Sequence, residues 1–231
     1  MNHLFILPTI GFLLLNLAEL ELFPNTRNNF PEVIPYSAEI GTDYFPVDTS
    51  LTLIYNSSMG EAKSTISMDD KSYILDMRND DFFFIQTINL IGDSVYLTRL
   101  DQEVEVFLFI TASGNVTYDT PSLRYPFPLK VGDKWNWKGV ECIDGEHRDT
   151  INITGQVLRN ETIETEAGNF ECVKFQIDIH KRSGHTKFYE WRTPEIGLVK
   201  LEAYLNTNGF IGSIMSLLGY DEMSFILKEI I

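Results

Sequence analysis

From Leu51 onward, short apolar-rich runs alternate with clusters of Gly, Asn, Asp and Pro. The interval of about 8–12 residues is that of a sandwich, a barrel or a curved antiparallel sheet. The runs fall at residues 51–55, 64–68, 72–77, 82–88, 94–100, 104–110, 116–118, 134–140, 149–159, 170–180, 186–192, 198–205 and 223–230. Alternation is clean in places: Thr150, Asn152 and Thr154 fall on one face, Ile151 and Ile153 on the other. Connections of about two to six residues predict antiparallel neighbours, because a parallel crossover needs about a dozen or more. The one clear helical candidate is 210–218, with a stripe of Phe210, Ile211, Ile214, Leu217 and Leu218.

Turn chemistry places several hairpins. Gly168 and Asn169 tolerate positive φ and predict a reversal between 161–165 and 170–179. Val131-Gly132-Asp133-Lys134 predicts a second turn, after which Trp135 and Trp137 must share a face with Asn136 opposite. On the strand from Phe170, the residues Val173, Phe175, Ile177 and Ile179 alternate with Lys174, Gln176, Asp178 and His180, whereas Phe170 and Cys172 fall on the polar phase. That calls for a bulge near Cys172 or burial of that end on both faces.

Two runs are apolar on both phases: Phe82-Phe83-Phe84-Ile85 and Val106-Phe107-Leu108-Phe109-Ile110. Each asks for cover on two sides. A central sandwich strand would satisfy that. So would a single curved antiparallel sheet, a half-barrel or open barrel with few short helices, that holds apolar material on its concave face. In the second case Phe82, Phe84, Phe107, Phe109, Trp135 and Trp137 are the candidate lining of a site for a hydrophobic or amphiphilic ligand.

Residues 4–17 form an uncharged apolar run, shorter than the roughly 20 residues that cross a bilayer and matching the h-region of a signal peptide. The expected organisation is a signal peptide at 1–22, a proline-rich linker arm at 23–43 and an antiparallel β domain at 44–231. Export follows, to the periplasm or the cell surface, with membrane contact only through the N-terminal segment if it is kept. Removing 1–22 takes away Glu19 and Glu21 and no base, so the acidity belongs to the folded part. The 231 residues carry 33 acidic against 18 basic side chains, a net charge of −15, which repels nucleic acid and anionic surfaces. Hydrophobic residues at 44% and aromatics at 13% give a real core and suit pleated sheets.

Chemistry-bearing candidates are few. Cys142 and Cys172, both in strand regions of an exported chain, are a candidate disulfide, with two buried free thiols as the other reading. His180 and His185 flank a turn, but a metal site needs a third ligand, and no metal or other cofactor is expected. Four N-x-[ST] sequons, at Asn56, Asn115, Asn152 and Asn160, read more readily as the polar style of turns and strand faces than as glycan acceptors. No nucleophile elbow, phosphate-binding glycine loop or H-E-x-x-H occurs. The expectation is therefore a protein that is not an enzyme.

The motif order Tyr44-Phe45-Pro46, Pro128-Leu129-Lys130-Val131-Gly132-Asp133-Lys134-Trp135, Glu164-Thr165-Glu166-Ala167-Gly168-Asn169-Phe170-Glu171-Cys172, and Trp191 followed by Gly197-Leu198-Val199-Lys200 resembles a large group of exported bacterial proteins. Some of these are TapB-like and pilus-associated. The resemblance spans roughly 44–230 and rests on turn glycines and core tryptophans. It implies a periplasmic or surface-exposed β domain, similar in outline to the half-barrels of lipoprotein carriers, without the lipobox cysteine of lipid-anchored relatives. The functional expectation is an envelope binding or carrier domain for a lipophilic small molecule. The alternative is a structural or adhesion-type component that contacts another envelope protein.

Overall fold

The apolar runs become strands joined mostly by tight reversals. The computed structural model describes residues 39–107, 110–182, 184–207 and 222–231. Across them run β1 Thr52–Ser57, β2 Gly60–Asp69, β3 Ser72–Arg78, β4 Phe82–Ile91, β5 Ser94–Phe107 and β6 Ile110–Pro126. These are followed by β7 Lys134–Ile143, β8 His147–Thr165, β9 Gly168–Lys181, β10 Gly184–Thr193, β11 Gly197–Thr207 and β12 Glu222–Ile230. Every pairing is antiparallel between chain neighbours, and β1 closes the ring by pairing with β12 as well as β2. The expected half-barrel is therefore a closed twelve-stranded barrel. Closure removes two exposed strand edges, which alternation within strands cannot report because it fixes faces and not the partners of the first and last strands.

Several strands are longer than their apolar runs. Residues 116–118 are the middle of the 17-residue β6, and 149–159 and 161–165 fuse into the 19-residue β8. Of the polar residues between these runs, Asp119, Thr120 and Asn160 are exposed, whereas Ser122 is buried. The turn at Gly168 forms as expected, with φ of 135° at a position where a side chain would be strained. Cys172 and Val173 are both buried, so that end of β9 is covered on two faces. The bulge sits on its partner, between Val157 and Arg159. Beyond it the hairpin tip reaches β1, where Asn56 Nδ2 donates to Glu166 Oε1 at 2.6 Å.

The wall is thin at one place. β6 and β7 share a ladder of three residues, Val116–Tyr118 against Glu141–Ile143. Past it, inward rings span the seam: Trp137 meets Tyr118 edge-on at 5.7 Å and Trp135 meets Tyr125 at 5.9 Å. Both tryptophans lie over glycines of the wall. A β-carbon at Gly155 would sit 2.1 Å from the Trp135 ring, and one at Gly139 would sit 2.4 Å from the Trp137 ring.

One end is stoppered from the N-terminal side. Ile40 bridges Leu129 with hydrogen bonds of 2.8 and 3.0 Å, a 3-10 turn spans Thr42–Tyr44, and the Phe45 ring packs at a tilt against Tyr125 at 5.7 Å. Ile40 and Phe45 are buried. The folded unit thus takes in Ile40, expected to be linker, which supplies apolar surface to the barrel end beside Phe45 of the expected β domain. The expected signal peptide at 1–22, the linker arm up to residue 38 and the helix at 210–218 lie outside the described residues.

Candidate functional site

Two apolar clusters fill the interior, and they divide the expected ligand lining between them. Phe82 is buried against Phe84 and Phe225, at 5.3 and 5.8 Å, in a cluster with Tyr55, Met77 and Leu227. Trp135 is buried in the other cluster with Tyr125, Phe175 and Val157, and Trp137 lies partly buried against it. Phe107 is the last residue of β5, and its side chain, like all of Phe109, lies outside the described residues. The four described aromatics do face inward, but they do not converge on one pocket.

The cysteines do not meet either. Cys142 stands opposite Arg148 and Cys172 opposite Glu161, thirteen residues apart on β8. At about 3.3 Å per residue that is roughly 40 Å of strand, against a disulfide Cα separation of at most about 7 Å. Both are free thiols, which corrects the expected disulfide. Burial pushes the Cys172 thiol up to about 12.

What the interior does converge is charge. β10 turns Phe188, Glu190 and Arg192 inward, opposite Ile177, Phe175 and Val173 of β9. Glu190, 1% exposed, takes Arg124 Nη2 on Oε1 and the Tyr125 hydroxyl on Oε2. Arg192 Nε also donates to that Oε2 at 2.7 Å and to the Tyr125 oxygen at 3.1 Å. The Arg192 guanidinium lies 4.6 Å from the centre of the Phe45 ring, so the N-terminal stopper is built around it. Burial pushes the Glu190 carboxyl up, but the Arg124 and Arg192 guanidiniums and the Tyr125 hydrogen bond outweigh it and hold the group at about 2. Burial likewise drives the Tyr125 phenol up to about 12.

Among the described residues, two guanidiniums thus share one carboxylate. The cluster carries an excess positive charge inside an apolar barrel, where an unbalanced charge costs several kcal/mol. The side chain of Arg124 is 20% exposed and that of Arg192 9% exposed, so Arg124 is the more accessible of the two. Beside it lies Phe188, with the guanidinium 5.9 Å from the ring centre. Phe188, Tyr118, Trp137 and Ile179 are partly buried apolar side chains packed against the apolar cluster of Tyr125, Trp135 and Phe175. A second interior pair, Lys181 to Glu141 at 3.0 Å, balances itself.

A mostly apolar cavity of about 50 Å³ touches Arg192, Phe45, Tyr55 and Met77. It has room for a small polar group or water and falls below the roughly 300–1,000 Å³ of a drug-sized ligand site. On the outer surface an open groove of about 500 Å³ runs across β7, β8 and β9, lined by Trp135 together with Asn136, Thr154, Gln156, Gln176 and Asp178.

Sequence reasoning found Trp135 and Trp137 but missed Arg124, Glu190 and Arg192. The signal was present on β10, where Phe188, Glu190 and Arg192 share the phase opposite Trp191 and Tyr189. With aromatics on both phases, the pattern alone does not say which face is inside. It also placed His180 and His185 at a hairpin without a third ligand, whereas Asp178 lies beside them.

The DUF3108-like family matches residues 112–217, a little under half of the chain. No curated protein matches the sequence. Among solved structures the chain is similar to the hypothetical lipoprotein YmcC from Escherichia coli, at 12% identity over 78% of this chain and 83% of that one, with a TM-score of 0.42. It is also similar to an exported protein with a YmcC-like fold from Bacteroides fragilis, at 15% identity over 80% and 97% of the two chains, with a TM-score of 0.41. None of these likenesses transfers a ligand or a residue role to the chain.

Proposed function

We propose that this chain is a non-catalytic binding domain of the cell envelope whose barrel, along the β6–β7 seam, takes an amphiphile with an acidic head group. The head group pairs with Arg124, and the apolar part lies against Phe188, Tyr118 and Trp137. The observation that carries this reading is the Glu190 carboxylate shared by two buried guanidiniums. An incoming anion balances the excess charge and forms charge-assisted hydrogen bonds with a planar donor suited to carboxylate or phosphate.

Binding is favoured over catalysis by the state of these groups. A general acid or base works best with a pKa near the operating pH, whereas Glu190 is held at about 2 and arginine stays protonated. Export rests on the apolar run at residues 4–17. Edge-to-edge assembly, the competing reading, needs unpaired strand edges. Ring closure leaves such an edge mainly along the β6–β7 seam.

Titration of the detergent-free protein with a fluorescent fatty acid tests the proposal. Saturable one-to-one binding is expected, weakened about tenfold or more in Arg124→Gln, since a charge-assisted bond is worth about 1.5–3 kcal/mol. The methyl ester should bind the wild type as poorly as the acid binds the variant. Equal binding of acid and ester, or none at all, overturns the reading, provided the variant's circular dichroism matches the wild type.

A further inference from the structure

On the outer wall, away from the interior charges, β9 and β10 bring Asp178, His180 and His185 together. His180 and His185 stand directly opposite each other across the ladder, and their rings stack at 4.3 Å with 6° between planes. Asp178 lies two residues before His180 on the same face. Its Oδ1 is 3.0 Å from His185 Nε2. One ligand atom from each of the three residues lies within 4.8 Å of the others.

The geometry points to a binding site for a first-row divalent transition ion, with Zn2+ the best fit, formed by His180, His185 and Asp178. Zinc takes imidazole nitrogen at about 2.0–2.1 Å and carboxylate oxygen at about 2.0–2.2 Å, which puts tetrahedral ligand atoms about 3.3–3.5 Å apart. Closing from the present spacing therefore takes side-chain shifts of about 1.5 Å or less, with the hairpin backbone fixed. Two imidazoles and a carboxylate suit zinc, copper and nickel, whereas magnesium and calcium prefer all-oxygen sets.

The neighbours are arranged for such an exchange. Gln176 Nε2 donates to Asp178 Oδ2 at 2.5 Å and so orients the carboxylate, leaving Oδ1 toward the histidines. Lys187 Nζ stands 3.7 Å from the same Oδ1 and is the cation that a metal ion displaces. Three protein ligands leave a fourth position for water or for a donor from a bound molecule. Asp178 also lines the open groove of about 500 Å³, so the ion would sit at the margin of a space large enough for a small ligand. The net charge of −15 draws cations to the surface.

The test is competition between tag-free full-length protein and a chromophoric zinc chelator, with Zn2+ as the only metal. One high-affinity site is expected, weakened about 100-fold or more in His180→Ala and in His185→Asn, since even partners outside the coordination shell are worth about 10–100-fold. Asp178→Asn should weaken it about tenfold or more, and Mg2+ should not compete. X-ray absorption of the loaded protein should show two imidazoles at about 2.0–2.1 Å. Far-UV spectra and metal-free melting temperatures should be unchanged in the His180 variant, whose side chain is exposed. Zinc bound as tightly by the His180→Ala/His185→Asn double variant as by the wild type overturns the assignment, as does the absence of a high-affinity site.

Discussion

Glu190 shows most sharply how one residue couples fold and function. Its carboxyl is held near 2 by Arg124 and Arg192 against the desolvation of full burial. The unfolded value is near 4.5, so the folded pKa is depressed. The stabilisation is then complete above about pH 4.5 and lost as pH falls through 2, a difference of about 3 kcal/mol. Glu190→Gln leaves two guanidiniums without a carboxylate and should cost about 3–5 kcal/mol at neutral pH. Urea unfolding of both proteins between pH 6 and pH 2 checks this: the gap between them should shrink as the acid range is entered. A gap that stays constant across that range contradicts the assignment. Single residues of this kind were poorly legible in the sequence. The two tryptophans announced their shared face by spacing, and Gly155 and Gly139 offered them room without revealing it. The charged trio lay on separate strands, β6 and β10, which are not adjacent in the ring and whose side chains meet only across the interior of the closed barrel.

At the scale of the strand, local pattern carried more. Ile151 and Ile153 turned inward, and Trp135 and Trp137 shared a face, because a period of two survives any tertiary arrangement. Pairing partners were legible wherever a short turn joined two runs. Ring closure between β1 and β12 was not, since those strands are far apart in sequence and nothing local encodes their meeting. The cysteines make the same point. Strand membership was readable for both, but the register that sets them at opposite ends of β8 was not. The consequence is measurable with a thiol reagent. Partly exposed Cys142 should react in the native protein, and buried Cys172, its thiol raised to about 12, should react only after denaturation. Two equally slow native thiols would contradict the placement, and so would a change in electrophoretic mobility on reduction.

At the scale of the molecule, the barrel is closed by hydrogen bonds around most of its girth and by aromatic rings along the β6–β7 seam. Its interior is packed at two apolar clusters and left with surplus positive charge between them and the half-covered aromatics. An interior of this kind is costly for a domain that only spaces or scaffolds, and it suits one that receives an anion with an apolar body. Native mass spectrometry of the chain, purified from its own host without detergent, measures this directly. The account predicts a population carrying one acidic amphiphile, absent from Arg124→Gln prepared in the same way. A wild-type protein that flies at its bare mass, and is as stable as any lipid-exposed preparation, would contradict it.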